Sequence, residues 1–205
     1  MKKNKSYEKN HKIFVNKKGG KMPVKIIYFV HGTTTDNEKH LSTGWNHGTL
    51  SKKGIKQAKE LKKQINQKEI DLVISSDLKR AIDSAKIILG EKQTLHDKRI
   101  RECNYGDLNG KPAELVKYID HITKPFPNGE SLIDVENRIK DFINYLLENY
   151  NNKTIALVSH KAPQLALDVI TKNITWETAI NQDWRKTKAW QPGWTYEIKE
   201  KPITK

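Results

Sequence analysis

The chain has 205 residues, of which 36% are hydrophobic and 30% are charged, which is typical of a globular protein with one domain of ordinary size. Its one cysteine, Cys103, excludes an intrachain disulfide, and no apolar run is long enough to span a bilayer. No apolar stretch of signal-peptide length follows the basic start, so we expect a cytoplasmic protein without a membrane partner.

The net charge of +14 is unevenly distributed. Residues 1–22 carry eight lysines and one glutamate, so half of the excess lies in this short polar segment. Its composition predicts a disordered basic tail, followed by one domain at 23–205. Such a tail can attract nucleic acid by counterion release. A solvated tail is the commoner role, and we do not expect nucleic acid as a partner.

Short apolar strands alternate with amphipathic helices along the rest of the chain. In order, we predict a buried strand at 24–30, a helix opened by Ser51, a strand at 71–76, a helix at 78–89, a short strand around 94–96, a helix within 129–150, a strand at 154–159, a helix at 162–171, and a last strand in WQPGWTYEIK. This alternation predicts an α/β fold with a mostly parallel sheet.

Polar residues follow each of the three buried strands. His31 ends the first, Ser76 ends the second with Arg80 just beyond it, and His160 and Lys161 end the third. Ligands of open parallel sheets bind beyond the carboxyl ends of the strands, where helix N-termini add partial positive charge. Two histidines, an arginine and a lysine at this edge predict a pocket for an anion, most plausibly phosphate.

This set of side chains suits phosphoryl transfer. One imidazole can attack phosphorus and form a phosphohistidine, while the other, with Arg80, stabilises charge on the phosphoryl oxygens. A carboxylic acid must then protonate the leaving oxygen and later activate water. Glu102, in the glycine-containing loop IRECNYGDLNG, is the best candidate for that task.

Five segments carry a resemblance to a known family. In chain order they are HGTTTDN, GWNHGTLSKKGIKQA, SSDLKRAIDSA, PNGESLIDVENR and VSHK. They resemble, in the same order, motifs of the histidine phosphatase superfamily, the phosphoglycerate mutase-like proteins. The resemblance covers residues 24 to 172, and it implies a three-layer α/β/α sandwich with a mostly parallel central sheet.

The resemblance also implies roles for individual positions. His31 would be the phosphorylated nucleophile, Glu102 the general acid and base, and Arg80 and His160 the lining of the phosphate pocket. Further residues expected to contact phosphate or substrate are Gly32, Thr33, Asn37, Tyr105 and Lys161. Similar family members need no metal ion, and we expect no cofactor.

Three positions depart from the family pattern. Val30 stands where the family has an arginine that contacts the phosphate, Thr33 replaces a glutamate, and Lys161 replaces a glycine. Because charge-assisted bonds to phosphate are among the stronger ones, losing that arginine is expected to weaken catalysis unless another cation replaces it. Our hypothesis is that Lys161 supplies the missing charge.

We therefore predict a phosphomonoester hydrolase that acts on a small phosphorylated metabolite, binds inorganic phosphate, and is a monomer or homodimer. Two alternatives stay open. One is a phosphoglycerate mutase-type phosphotransferase, although only about twenty residues separate Gly110 from Glu130, without the insertion of mutases. The other is a weakly active or inactive protein that binds phosphate ligands or RNA. The Trp-rich end would then be a binding surface.

Trp176, Trp184, Trp190 and Trp194 are interleaved with lysines and an arginine near the C-terminus. Aromatic side chains alternating with cations can stack nucleic-acid bases. More often they pack a terminal helix and strand onto a domain, which is the interpretation we favour. A third interpretation, intermediate between these two, is that the segment forms a lid over the substrate.

Overall fold

The computed structural model describes residues 23–90 and 92–199. The predicted basic tail at 1–22 lies outside the described residues. The strands are β1 (Val24–Val30), β2 (Leu72–Ser75), β3 (Thr94–His96), β4 (Thr154–Ser159) and β5 (Trp194–Ile198). The α-helices are α1 (Thr35–Glu38), α2 (Lys52–Gln64), α3 (Lys79–Leu89), α4 (Leu132–Asn149), α5 (Lys161–Lys172), α6 (Trp176–Asn181) and α7 (Trp184–Thr187). Short 3-10 helices lie at Gln67–Glu69, Lys98–Ile100, Gly106–Leu108, Ala113–Leu115 and Tyr118–His121.

The five strands form one sheet in the order β3-β2-β4-β1-β5. β1, β2, β3 and β4 run parallel, and only β5 pairs antiparallel, with β1. β4 therefore lies between β1 and β2, although it follows both in the chain. This order brings the carboxyl ends of β1, β4 and β2 side by side, where the sequence predicts the ligand site.

Helices cover both faces of the sheet, and two apolar cores result. Side chains of β4 alternate between them: Ile155 and Leu157 pack with α4 and α5, whereas Ala156 and Val158 pack with α2 and α3. This alternation follows from the two-residue period of a strand. The α/β fold with a mostly parallel sheet is thus confirmed, and the layers are those of an α/β/α sandwich.

Two helices near the site, α2 and α4, begin at side-chain caps. Ser51 caps α2 by accepting a hydrogen bond from the Gly54 amide at 3.2 Å, which confirms the predicted start. Ser131 and Asp134 form a capping box at the start of α4. Such caps satisfy amide groups that have no partner inside the helix. They fix where each loop ends, and therefore where its side chains lie.

Sequence patterns predicted the five strands and the four long helices, and they missed the short helices. α1, α6 and α7 have six residues or fewer, and none of them was predicted. Elements of this length show little hydrophobic periodicity, so the sequence carries no clear signal for them. Over residues 23–90 and 92–199, no helix is both long and apolar enough to cross a membrane.

Candidate active site

Three neighbouring strands deliver the central side chains of the site. Val30 is paired with Ser159, so His31 and His160 are the next residues on adjacent strands. Backbone amides extend the ladder by one step: His31 donates to Ser159 O at 3.1 Å, and Ser76 donates to Val158 O at 3.1 Å. The two imidazole rings have centroids 5.1 Å apart. We call His31, Ser76, Arg80 and His160 the strand-end cluster.

The hydrogen bonds of His31 assign its tautomer. Nδ1 lies 2.8 Å from Gly32 O, which can only accept, so Nδ1 carries the hydrogen. Nε2 then has a lone pair, and it accepts a hydrogen bond from Arg80 Nε at 3.2 Å. Burial, followed by the charges of Arg80 and Arg185, lowers the pKa of His31 to about 3, against a smaller opposing effect of Gly32 O. At neutral pH, the ring is therefore uncharged.

Arg80 is fixed on three sides. Its side chain is nearly inaccessible, with 1% exposure, although arginine is rarely buried without partners. Besides Nε on His31, Nη1 donates to Asn46 O at 2.8 Å and Nη2 donates to Gly44 O at 2.7 Å. The backbone of the loop before α2 thus orients the guanidinium toward the nucleophile.

His160 lies behind His31 and is fully buried. Its Nε2 lies 2.7 Å from Ser76 Oγ, and its backbone is fixed by Tyr28, whose hydroxyl donates to His160 O at 2.7 Å. Burial first, then the charges of Arg80 and His31, hold its pKa well below the usual range, so this ring is neutral as well. Within the part of the chain that the structure describes, its Nδ1 is buried without a hydrogen-bond partner.

Glu102 lies at the N-terminus of α5 and is 7% exposed. Oε1 accepts hydrogen bonds from the amides of Cys103 and Ala162, both at 2.9 Å, and Oε2 accepts one from the Lys161 amide at 3.2 Å. The Tyr118 hydroxyl lies 3.4 Å from Oε1. The N-terminus of a helix stabilises a carboxylate through free amides and the helix dipole.

The segment PNGESLIDVENR holds the Glu102 loop in place. Arg138 forms an ion pair with Glu130 at 2.8 Å and donates to the backbone oxygens of Arg99, Arg101 and Glu102. Glu130 in turn accepts from the Asn104 amide at 2.8 Å. This motif therefore acts on the site indirectly, by fixing the loop that carries the acid.

A cavity of about 940 Å³ opens beside His31. The predicted residues His31, Gly32, Thr33, Asn37, Arg80, Glu102, Tyr105 and Lys161 line it, as does Val30, whereas His160 does not. Eight predicted residues from four separate segments of the sequence therefore meet at one cavity. Among residues 23–90 and 92–199, no group of three or more His, Cys, Asp or Glu side chains is arranged to hold a metal ion.

Several predicted contact residues make hydrogen bonds within the protein. Thr33 donates to Gln57 Oε1 from its amide at 3.0 Å and from its hydroxyl at 2.8 Å. Asn37 Oδ1 accepts from the Thr34 amide at 3.0 Å, and the hydroxyls of Tyr105 and Tyr118 lie 2.7 Å apart. These bonds shape the cavity wall.

Gly32 is required by a close approach of two backbones. A β-carbon at this position would lie 2.5 Å from Gly54 O, in the first turn of α2. Only glycine fits at such a distance. Its amide donates to Ser84 Oγ at 3.1 Å, which ties the loop after β1 to α3. The placement of Gly32 therefore has a steric reason in addition to any contact with substrate.

The C-terminal region contributes residues that sequence reasoning did not assign to the site. Trp184, Arg185 and Trp190 line the same cavity. The Asp183 side chain is 1% exposed and forms ion pairs with Arg185 Nη1 at 2.8 Å and with Lys161 Nζ at 3.2 Å. We call residues 183–190 the C-terminal wall.

The tryptophans have different environments. Trp176 is buried and donates to Glu136 at 2.8 Å, and Trp184 stacks on Trp194 with ring centroids 5.3 Å apart. The favoured packing interpretation is confirmed for these three. Trp190 is 52% exposed. The alternation of tryptophans with cations was the available signal for the wall, but it did not show which side chains face the cavity.

Comparisons with known proteins agree with this geometry. A family model described as histidine phosphatase superfamily (branch 1) matches residues 27–193. The chain is 30% identical over 156 residues to phosphoserine phosphatase 1 of Hydrogenobacter thermophilus, covering 70% of this chain and 74% of the relative. It is 27% identical over 177 residues to a 2,3-bisphosphoglycerate-dependent phosphoglycerate mutase of Bartonella tribocorum, covering 77% and 86%.

Solved structures share the fold. A mycobacterial glucosyl-3-phosphoglycerate phosphatase in complex with VO3 superposes with a TM-score of 0.68 at 24% identity, covering 76% of this chain and 86% of that one. The alpha-ribazole phosphatase of Shigella flexneri gives a TM-score of 0.69 at 23% identity, covering 77% and 84%. At this level of identity the likeness establishes the three-layer architecture.

Proposed function

The chain belongs to the histidine phosphatase superfamily, and on that basis we propose that it hydrolyses small phosphate monoesters through a phosphohistidine formed on His31. The observation that carries the proposal is the state of His31: a neutral ring whose Nε2 lone pair adjoins the cavity and the Arg80 guanidinium. The curated relatives with phosphatase names point to the same reaction class.

In the first step, Nε2 of His31 attacks phosphorus, and the bond from phosphorus to the ester oxygen breaks. Nδ1 keeps its hydrogen, so the ring gains positive charge, which the hydrogen bond to Gly32 O stabilises. The hydrogen bond from Arg80 Nε to Nε2 must break for this attack. We expect Arg80 to donate to a phosphoryl oxygen instead, where negative charge develops.

Glu102 supplies the proton that the leaving oxygen takes up. Oε1 accepts two amide hydrogen bonds and faces Tyr118, whereas Oε2 accepts one, so Oε2 has the free lone pair for a proton. In the second step, the carboxylate removes a proton from water, which attacks phosphorus, and the bond to His31 breaks to release inorganic phosphate.

We propose that the substrate is a small acidic metabolite. Lys53, Lys56 and Lys161 line the cavity beyond the strand-end cluster, and a carboxylate on the leaving group would face them. Phosphoserine and 3-phosphoglycerate have this chemistry, and both occur in complexes of a phosphoserine phosphatase from Entamoeba histolytica whose fold resembles this one. They are therefore the first substrates to test.

The proposal also covers the setting of the reaction. We propose that residues 23–205 form the functional unit, that the reaction needs no metal ion, and that the protein is a cytoplasmic monomer or homodimer. The cationic side chains Arg80, Arg185 and Lys161 support a reaction without metal, because they can neutralise the phosphoryl oxygens. Activity in the presence of a chelator and light scattering test these points.

The decisive experiment compares the wild type with His31→Ala on p-nitrophenyl phosphate, phosphoserine and 3-phosphoglycerate, with a chelator present, between about pH 5 and 7.5. We expect kcat/KM to fall by at least about 10³-fold, because the nucleophile is removed. The matched control is His121→Ala, which removes a histidine outside the cavity lining and should leave turnover unchanged. Turnover retained by His31→Ala would refute the mechanism, and a wild type inactive on all three would favour a phosphate binder.

A further inference from the structure

A guanidinium from the C-terminal wall reaches the cavity in a fixed orientation. Asp183 caps α7 and uses the same oxygen, Oδ1, to accept from the Arg185 amide at 3.1 Å and from Arg185 Nη1 at 2.8 Å. The Arg185 guanidinium carbon lies 4.5 Å above the ring of Trp184. Trp184 is itself held by stacking on Trp194 and by a hydrogen bond from Nε1 to Gln164 at 3.2 Å. Arg185 is therefore ordered before any ligand binds.

The other end of this guanidinium has no partner. Arg185 Nη2 is buried, and across residues 23–90 and 92–199 the structure gives it no hydrogen-bond acceptor. A buried donor without an acceptor is costly, so such groups call for an explanation. Here the residue lines the cavity that contains the nucleophile. An anion bound in the cavity would satisfy this donor.

The positive charge of Arg185 also acts on His31. This charge contributes to the lowered pKa of His31, after burial and Arg80. Arg80 Nη1 and Nη2 each donate to a backbone oxygen, so we expect Nε, once it leaves His31, to be the donor of Arg80 to the phosphoryl group. Val30 lines the cavity and carries no charge. A phosphoryl group at His31 therefore needs a further donor, and Arg185 has free N–H groups.

Lys161 is less well placed for this task, although the hypothesis from the sequence assigned the missing charge to it. Its ammonium lies 4.4 Å from the centroid of the Tyr118 ring and 3.2 Å from Asp183. Arg185 makes the same two kinds of contact, but of these two residues only Arg185 also has a buried nitrogen without a hydrogen-bond partner among residues 23–90 and 92–199. A direct role for Lys161 stays a prediction, and the same experiments on Lys161→Ala would test it.

We propose that Arg185 is a phosphoryl-binding residue of this site and that Asp183 is its positioning residue. Arg185 would donate from Nη2 to an oxygen of the phosphoryl group while Nη1 stays on Asp183. The C-terminal wall would then supply charge that the strand-end cluster lacks at Val30. This inference rests on the proposed function only in that the phosphoryl group binds beside His31.

Binding of inorganic phosphate and of orthovanadate tests the proposal without requiring turnover. Trp184 and Trp45 allow binding to be followed by tryptophan fluorescence, with calorimetry as a second measurement. We expect Arg185→Ala to raise Kd for both anions about 10- to 100-fold, because a charge-assisted bond is lost. Arg185→Lys should recover part of the affinity, since it keeps the charge and loses the planar fork.

Lys186→Ala is the matched control, because it removes an exposed cation from the neighbouring position of α7. We expect its Kd to stay within about twofold of the wild type, and thermal unfolding of each variant verifies the fold. Asp183→Asn should weaken binding less than Arg185→Ala and should not weaken it further in the Arg185→Ala background. This last result separates a positioning residue from an independent contact.

Three outcomes would overturn the proposal. One is a folded Arg185→Ala variant with wild-type Kd, which would make Arg185 a structural partner of Asp183. Another is an equal effect of Lys186→Ala, which would reflect long-range charge. The third is a wild type that binds neither anion. Loss of affinity in Arg185→Ala, with a wild type that binds phosphate but hydrolyses nothing, would support this inference while refuting the proposed hydrolysis.

Discussion

The strand-end cluster and the C-terminal wall each bring an arginine to the same cavity, but they hold it differently. Arg80 is 1% exposed, and its three nitrogens are bound to His31 and to backbone oxygens. The Arg185 side chain is 26% exposed and is held by one carboxylate and one aromatic ring. The first arginine is part of the interior, whereas the second lies on a four-residue helix at the surface.

This difference indicates which changes the protein can tolerate. Removing Arg80 leaves two backbone oxygens and an imidazole without their donor in a buried place, so folding and catalysis should suffer together. Removing Arg185 takes one ion-pair partner from the Asp183 carboxylate, which keeps its ion pair with Lys161. Binding should then weaken while the fold persists. The predictions below test this separation, from the largest expected effect to the smallest.

Arg80→Ala should cause the largest loss. We expect kcat/KM to fall by about 10³-fold and the free energy of unfolding by about 2–4 kcal/mol, because a transition-state donor and three buried hydrogen bonds are removed. Steady-state kinetics and urea denaturation measure the two effects. Lys79→Ala, which removes the exposed cation one residue earlier in α3, should change neither appreciably. A stable Arg80→Ala protein would contradict the assignment of Arg80 to the interior.

Glu102→Gln should have an effect that depends on the leaving group. With phosphoserine, an alkoxide must be protonated, so we expect a loss of about 10²-fold in kcat/KM. Nitrophenolate leaves without a proton, so the loss with p-nitrophenyl phosphate should be at least about tenfold smaller. Because water activation is also impaired, nitrophenol should appear as a burst while the phosphohistidine accumulates.

The control for this prediction is Glu114→Gln, which replaces an exposed glutamate outside the cavity lining. It should behave like the wild type with both substrates. Equal losses of Glu102→Gln with the two esters would mean that Glu102 does not protonate the leaving oxygen. Its amide bonds at the N-terminus of α5 would then be its main role.

The comparison also explains how much of the site the sequence could predict. His31, Ser76 and His160 each end a buried strand, and parallel pairing places such residues side by side, so local pattern was sufficient. Glu102 lies in an irregular loop, and its place depends on the ion pair between Arg138 and Glu130, a tertiary contact that periodicity could not predict.

The C-terminal wall could not be predicted in the same way. Arg185 reaches the cavity because β5 pairs antiparallel with β1 and because Trp184 stacks on Trp194. Both are long-range contacts with no periodic signal in residues 174–196. The sequence showed a missing cation at Val30 and an extra cation at Lys161, and the hypothesis that the two share one pocket singled out Lys161. Arg185, which lines the same cavity, comes from a segment that no motif marked.

The smallest predicted effect concerns stability against pH. The folded state holds the pKa of His31 at about 3, below its ordinary value of 6.5, so the unfolded chain binds a proton between these values that the folded chain does not. Unfolding is therefore favoured as pH falls: stability that is fully present above about pH 6.5 is lost toward about pH 3. Between about pH 7.5 and 5, the wild type should lose about 1–2 kcal/mol more than His31→Gln in urea denaturation.

Arg80 and Arg185 should contribute unequally to this pH-dependent difference in unfolding free energy between the wild type and His31→Gln. The difference therefore compares the influence of the two arginines on His31. Burial and Arg80 lower the pKa of His31 more than Arg185 does. In the Arg185→Ala background, the gap between His31 and His31→Gln should therefore shrink only slightly. If the gap vanished without Arg185, the wall would dominate the charge around His31, and the expected order of the two arginines would be wrong.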